Sequence, residues 1–488
     1  MKKAAVIGAG IGGIAAAARL AAKGYVVDVF EKNSGPGGKL IEFTQQGYRF
    51  DAGPSLFTMP HLVTELFELL GEDPLPHFRY TKLDELCRYF FDNGTQYHTY
   101  TEAEKTAEAM ARATGESKQH ILDFLSHSKK LYELTADFFI FSSLHEPKKY
   151  LHPSFLKKLL QIRTLRLHQT MHGSLQKFFS TPSVINHFSR YATYNGSDPY
   201  QAPATLNIIP HLEYHLGAYL PAQGMYHITQ ALVGLCERHG VTYYYNHTVE
   251  KILHQQGKVT GIIVNGESKN YELVVNDTDI YFFYHQLLPD VPKPHKILGQ
   301  ERSSSVLVFN WGMKKSFTRL GLHNIFFSTD YQQEFRALFS QKTIASDPTI
   351  YLYISSKHIP ADAPVGCENW FTLVNAPADA GQNWDELIQQ TRSHVLAKLG
   401  HILNENIDLL IKCETILNPK QIAADTGSYL GALYGNSSNS KWAAFLRHPN
   451  RLKRLKNLYF VGGSVHPGGG IPLCLSSAKI IDPWIQPA

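Results

Sequence analysis

Two glycine-rich motifs at opposite ends of the chain constrain its fold more than any other feature. The first reads Val6-Ile7-Gly8-Ala9-Gly10-Ile11-Gly12-Gly13, followed by Glu31 and then Gly37-Gly38-Lys39. The second reads Leu458-Tyr459-Phe460-Val461-Gly462-Gly463, followed by His466-Pro467-Gly468-Gly469-Gly470-Ile471-Pro472. Each has the pattern of a strand, a tight turn and a helix. A ligand that needs both must bring the chain ends together across more than 400 residues.

Residues 3–7 predict a short buried strand and residues 11–23 an Ala-rich helix. Between them Gly8, Gly10 and Gly13 hold the G-x-G-x-x-G spacing. Gly8 allows the turn out of the strand, Gly10 lets backbone approach a pyrophosphate, and Gly13 lets the helix pack close to the sheet. Phosphates then lie at the helix N-terminus, where free N–H groups and the dipole favour negative charge. Val26–Phe30 is the next predicted strand. Glu31 ends it, 18 residues after Gly13, placed to accept from a ribose hydroxyl. The pattern is that of a dinucleotide site. An NAD domain would continue as alternating strands and helices. This chain instead runs Asn33-Ser34-Gly35-Pro36-Gly37-Gly38-Lys39 and then Tyr48-Arg49-Phe50-Asp51-Ala52-Gly53-Pro54-Ser55. Gly37 and Gly38 permit a second approach to the pyrophosphate and Lys39 adds charge there, which selects FAD. A plain glycine loop is the alternative reading of that stretch.

The closing motif is expected to return to the same cofactor. Gly468–Gly470 let the turn pass close to the flavin ring, and Pro472 suits the first turn of a helix. The N-terminal amides of that helix would favour negative charge on the reduced ring. The candidate cofactor contacts are Gly8, Ala9, Gly10, Ile11, Gly12 and Gly13; Glu31 and Lys32; Gly37, Gly38 and Lys39; Gly53, Pro54 and Ser55; Val249 and Asn276; and Gly462, Gly463, Gly470, Ile471 and Pro472.

The fold class expected is α/β: a discontinuous Rossmann-like FAD-binding domain of the two-dinucleotide-binding type, a mixed α/β substrate domain, and a helical membrane-facing part. The flavin domain takes residues 1–70, 220–285 and 450–488. Within it, 224–239 reads as a helix, 241–245 and 249–253 as strands, 259–264 as the second arm of a hairpin turned at Gly257-Lys258, and 272–275 as one more strand. Residues 71–219, with 71–215 helix-rich and aromatic, form the helical substrate and membrane-facing region. Residues 286–449 form the mixed α/β domain, with strands at 305–309, 349–354 and 370–375 and a helix at 384–399.

Apolar residues make up 43% and charged residues 18% of the 488, which suits a folded chain with a large core. No apolar run is long enough to span a bilayer. Met1 lies two residues before the first strand, which leaves no room for a signal peptide. The five cysteines are scattered without metal spacing, as expected of reduced thiols and a cytoplasmic protein; no metal site is expected. From Pro147 to Thr170 there are six basic residues and no acidic one, interleaved with Phe155, Leu156, Leu159, Leu160, Ile162 and Leu165. Such a segment either lies on an anionic membrane surface or caps the protein's own core with a solvated basic face. No nucleic-acid motif accompanies the charge.

Over nearly its whole length the chain resembles the bacterial-type phytoene desaturases and related carotenoid desaturases. The resemblance rests on both end motifs, on Phe50-Asp51-Ala52-Gly53-Pro54-Ser55, on Arg190-Tyr191-Ala192-Thr193-Tyr194, on Ala202-Pro203-Ala204-Thr205, on Leu212-Glu213-Tyr214-His215-Leu216-Gly217-Ala218 and on Pro221-Ala222-Gln223-Gly224-Met225. Tyr194–Tyr200 and Leu206–Pro210 look most like the hydroxycarotenoid branch, whose members introduce a 3,4 double bond into a 1-hydroxylated acyclic end. Asn276-Asp277-Thr278-Asp279 departs from the commoner Asn-Ala-Asp pattern at the edge of the flavin domain.

The resemblance implies a long apolar carotenoid as substrate and removal of a hydride and a proton from a C–C bond, with the flavin taking the hydride. That requires an aromatic-lined tunnel that excludes water. Phe138–Phe141 and Tyr89–Phe91 are candidates for its wall. Glu213 is a weak candidate for the proton acceptor; its alternative is a structural carboxylate paired with Arg190 or a backbone amide. His466 is the other weak candidate, with helix capping as its alternative. An amine oxidase-like flavoenzyme and a non-enzymatic prenyl- or lipid-binding protein share the same cofactor fold. Peripheral membrane association through 147–170 would give access to a bilayer-bound substrate.

Overall fold

The computed structural model of the chain describes residues 1–146, 169–440, 442 and 447–488. The basic segment 147–170, apart from Gln169 and Thr170, lies outside the described residues.

The run Lys3–Ile7 forms the middle strand of a five-stranded parallel sheet. The order is Thr242–Tyr244, Val26–Phe30, Lys3–Ile7, Leu273–Asn276, Leu458–Phe460. Side chains alternate across a strand, so a strand covered on both faces is apolar throughout. Ala4 and Val6 pack with the helix Ile11–Ala22, while Ala5 and Ile7 pack against Ile252, Ile262 and Phe283 on the other face. Val274 pairs with Leu458 and Ala5 with Val274, so a single strand separates the last strand from the first. The two end motifs thereby share one end of one sheet. Helix Ile471–Ile481 packs on helix Ile11–Ala22 through Ala15, Ala18, Leu475 and Ala478.

On the face occupied by Ile252 and Ile262, a three-stranded antiparallel meander runs Val249–Gln255, Lys258–Val264 and Glu267–Asn270. The last strand was not expected. Its turn, Asn265-Gly266, has both residues at positive φ (48° and 79°), the geometry favoured in two-residue hairpins.

A seven-stranded sheet forms the second layer: Ile411–Leu417, Ser305–Met313, Glu368–Ala376, Ile350–Tyr353, His323–Phe326, Glu85–Phe90, Gln96–Tyr100. All neighbours are antiparallel except His323–Phe326 and Glu85–Phe90. Leu307, Phe309 and Trp311 point to one face and pack with Val395 and Leu399 of helix Trp384–Leu403. Val306 and Val308 point to the other, toward the interior of the molecule.

The stretch 71–215, expected to be helix-rich, is so among the described residues from Ala103 onward, and this sheet corrects the part before it. The helices begin only at Ala103; Tyr80–Lys82, Glu85–Phe90 and Gln96–Tyr100 are strands. The hairpin 85–100 turns at Asp92-Asn93-Gly94, with Gly94 at φ 82°. It adds two strands to a sheet otherwise built from 305–417, so the segments 71–219 and 286–449 share one sheet. Beyond it, helix Lys118–Phe139 starts at Ser117, whose hydroxyl accepts from the His120 amide.

Candidate active site

The N-terminal glycines are required by close approach. A side chain on Gly13 would collide with the carbonyl oxygen of Gly8, so only glycine lets the helix start this close to the strand. Gly8 itself has φ 97°. Gly37 donates its amide to the Ala9 carbonyl at 2.8 Å, which ties the second glycine pair to the first loop.

The space these glycines leave open holds the carboxyl of Asp277. The Gly13 and Gly10 amides face it and favour its charged form, and its Oδ1 lies 2.8 Å from where a Cβ on Gly12 would fall. Gly462, from the C-terminal motif, meets the same carboxyl. Burial pushes Asp277 up to about 7, and nearby Glu31 adds to the shift. Backbone amides converging on an acidic oxygen are the donor set of an anion site, so the cradle fits the pyrophosphate of FAD. Glu31, 6% exposed, accepts from the Ala9 amide and the Asn33 amide, each at 2.9 Å. It fastens the first loop to the end of its strand, and its carboxylate retains acceptor capacity for ribose hydroxyls.

Lys39 does not approach the cradle as a free charge. Its ammonium donates to the carbonyls of Leu433 (2.8 Å) and Ala432 (3.3 Å). Burial lowers its pKa against the opposing pull of Asp279, Cys474 and Asp277. At the C-terminal motif, Gly470 has φ 107° and caps helix Ile471–Ile481, with Pro472 in its first turn. Side chains on Gly468 and Gly469 would press on Arg447 and Tyr434 respectively. Arg447 is 3% exposed and donates to Tyr434 O, Asn436 O and Asn195 Oδ1 at 3.1–3.2 Å. Burial brings its pKa down to about 10.

From this cradle a single cavity of about 630 Å³ extends beneath the seven-stranded sheet. Its wall follows the two-residue repeat of the strands: Val306 and Val308, Phe371 and Leu373, His323 and Ile325; Tyr351 joins them from the strand between. Opposite them stand Phe139 and Ile140 from the end of helix Lys118–Phe139, with Leu206, Ile209 and Leu212. Phe139 and Ile140 therefore line the cavity as expected of Phe138–Phe141, whereas Phe90 is core, stacked on Phe326 at 4.7 Å.

Two polar groups interrupt this wall. Ser55, Tyr351 and His323 form a chain, with Ser55 Oγ and Tyr351 Oη 2.7 Å apart and His323 Nδ1 2.8 Å from Tyr351 Oη. Burial holds the His323 imidazole down at about 3, so it is neutral. The second group is Glu213 with Tyr191, Tyr194 and Arg190. Tyr191 donates to one Glu213 oxygen at 2.7 Å and Tyr194 to the other at 2.5 Å. Burial raises both phenols, which keeps them protonated. The expected direct partnership of Glu213 with Arg190 or a backbone amide is replaced by two phenols; Arg190 reaches it through Tyr194, to which it donates at 3.1 Å.

Of the sequence-predicted contacts, the cavity wall takes in Gly10, Ile11 and Gly12, then Gly37, Gly38 and Lys39, then Gly53, Pro54 and Ser55, and finally Gly462, Gly463, Gly470, Ile471 and Pro472. Glu213 and His466 line it too. Gly8, Ala9, Gly13 and Glu31 support the cradle from behind. Lys32 is exposed and donates to Ala424 O, and Val249 opens the meander. Asn276 is buried and bonded to Thr278; the next residue, Asp277, is the one that enters the cradle. His466 does not cap a helix. Its Nε2 donates to the Ser142 carbonyl at 2.8 Å and Gly470 holds the cap position. Asp277, Arg447, Tyr351 and His323 were not among the predicted site residues, whereas Ser55 was; the departure at 276–279 was the one signal for Asp277.

The pattern of the flavin containing amine oxidoreductase family matches residues 11–480. A 1-hydroxycarotenoid 3,4-desaturase of Flavobacterium sp. (strain P99-3) is 47% identical over 480 residues, covering 98% of both chains. A 4,4'-diapolycopene oxygenase of Methylomonas sp is 32% identical, covering 98% of this chain and 96% of that one. Among solved structures, an oxidoreductase from Methanosarcina mazei superposes with a TM-score of 0.64 at 16% identity, over 98% of each chain. Cyclohexylamine oxidase from Brevibacterium oxydans IH-35A gives 0.60 at 16%, over 98% and 97%. These two likenesses establish the fold.

Proposed function

We propose that this chain, which belongs to the flavin-containing amine oxidoreductase family, is an FAD-dependent carotenoid desaturase that introduces the 3,4 double bond into a 1-hydroxylated acyclic end. The observation that carries the reading is one continuous cavity joining the dinucleotide cradle to an apolar sheet face, in a chain 47% identical to such a desaturase.

FAD, when bound, accepts the hydride. The protein's part is to hold the substrate end against it and keep water out. Val306, Val308, Leu373 and Ile325 supply an apolar wall that receives a hydrocarbon chain without directional bonds. The glycine turn 468–470 and the N-terminus of helix Ile471–Ile481 bring amide donors to the cofactor side. Positive charge that develops on removal of the hydride spreads along a polyene, so a strong base is not required for the proton.

A carotenoid partitions into the bilayer, and the chain must meet it there. No described helix is long and apolar enough to cross a membrane. The basic and apolar sequence 147–170 follows directly on Phe139, Ile140 and Leu144, which line the cavity, and we assign membrane contact to it. The test is reconstitution: FAD-loaded protein with liposomes carrying a 1-hydroxylated acyclic carotenoid. The product gains one C=C bond and no oxygen. A keto or aldehyde product would instead favour the oxygenase branch of the relatives, and turnover of amines would favour amine oxidation.

A further inference from the structure

Arg190 and Glu213 put two charged groups, 6% and 3% exposed, into a cavity wall that also carries Leu206, Ile209 and Leu212. Burying charges costs several kcal/mol each unless they are well partnered. Here the partnering is incomplete in a specific way. The Tyr194 hydroxyl stands between the two, accepting from Arg190 Nη1 at 3.1 Å and donating to Glu213 Oε1 at 2.5 Å. Arg190 Nη2 donates to Tyr89 at 2.9 Å, but its buried Nε–H has no acceptor. Each Glu213 oxygen takes one phenol, which leaves a carboxylate with acceptor capacity to spare. A donor without an acceptor beside an acceptor with capacity left is the complement of an alcohol, which both donates and accepts.

The cluster also lies on the cofactor side of the cavity. Asn195, next to Tyr194, accepts from Arg447, and Arg447 packs on Gly468 of the closing motif. A hydroxyl at C1 is separated from the C3–C4 bond by one carbon, so its seat has to be near the ring.

We propose that Arg190, Tyr194 and Glu213 form the seat of the substrate's tertiary hydroxyl and select hydroxylated over unhydroxylated acyclic ends. The inference rests on the functional reading above and adds its specificity determinant. A site built to hydrogen-bond a hydroxyl discriminates against the analogue that lacks it, because the buried polar groups are then left unpaired.

The experiment compares kcat/KM for a 1-hydroxylated acyclic carotenoid with that for the same skeleton lacking the hydroxyl, both in liposomes. Wild type, Tyr194→Phe and Glu213→Gln are measured, with bound flavin and thermal midpoint recorded for each. Wild type is expected to prefer the hydroxylated substrate by at least about tenfold. Both variants lose most of that preference through lower kcat/KM on the hydroxylated substrate, with flavin content retained. Tyr194→Phe removes a single oxygen, so it keeps the test open if Glu213→Gln fails to fold. Equal use of both substrates by wild type, or variants that keep its preference, would overturn the inference while leaving desaturation in place. Failure of wild type to desaturate either carotenoid would overturn the functional reading and the inference together.

Discussion

The Asp277 carboxyl occupies the place a side chain on Gly10 would take: its Oδ2 lies 2.5 Å from where that Cβ would fall. An acidic group is thus lodged among the amides to which we assign the cofactor's pyrophosphate.

Cofactor affinity should therefore depend on pH. Burial raises Asp277 from 3.8 to about 7, Glu31 adds to the rise, and the Gly13 amide, Lys39 and the Gly10 amide oppose it; Cys474 also faces the group. Because the folded-state value is raised, the proton's contribution to apoprotein stability is fully present below about pH 4 and is lost as pH rises through about 7. The pyrophosphate, itself anionic, favours the same protonated form. Flavin-fluorescence titration should show FAD affinity falling by about tenfold from pH 6 to pH 8. Asp277→Asn should flatten that dependence and bind more tightly at pH 8. A pH-independent wild type would show that the carboxyl does not face the phosphate.

Glu31 holds the first loop, and we propose that it also accepts from the ribose. Glu31→Ala removes the acceptor for the Ala9 and Asn33 amides. It should lower apoprotein stability and FAD binding alike, each by about 1–3 kcal/mol. Calorimetry of the apoprotein and FAD titration check the two effects separately. An unchanged apoprotein would mean that the two amides find other partners.

Gly13→Ala should be costly without touching the cavity. The added methyl falls on the Gly8 carbonyl, so helix and strand must part, at about 1–3 kcal/mol. Loss of bound flavin with a lowered unfolding midpoint is the expected result.

Val308→Trp tests the tunnel. Val308 is fully buried on the face that lines the cavity, among Leu373, Tyr351 and Ile325. An indole there fills space the substrate needs. Desaturation should fall by at least about tenfold with FAD content retained, an overpacking cost of about 1–3 kcal/mol being borne by the sheet. Unimpaired desaturation would place the substrate elsewhere.

Reversing Lys157 and Lys158 to Glu tests membrane contact. Each basic residue near an anionic surface is worth about 1 kcal/mol, so the double charge reversal should abolish sedimentation with anionic liposomes while leaving FAD content unchanged. Vesicle binding equal to the parent's would assign docking to another surface.

The sequence made the cofactor half of the molecule legible because its signals are local. Gly8, Gly10, Gly13, Glu31 and Gly470–Pro472 each act within a few residues of a strand end or a helix start. The second half depends on pairings with no local signature. Glu85–Phe90 lies parallel to His323–Phe326 across more than 200 residues, and neither run announces the other. Asn93-Gly94 was a readable turn that the aromatic run Tyr89–Phe91 obscured. The same holds for side chains: Glu213 was legible as a proton acceptor or a structural carboxylate, but its phenol partners lie 22 and 19 residues earlier, in a separate helical turn.

The central claim is tested most directly by anaerobic mixing of the FAD-loaded protein with a 1-hydroxylated acyclic carotenoid in liposomes. The yellow flavin absorbance should bleach in proportion to substrate consumed, and the extracted carotenoid should carry one further C=C bond and its original hydroxyl. Flavin that stays oxidised while the carotenoid is recovered unchanged would contradict it.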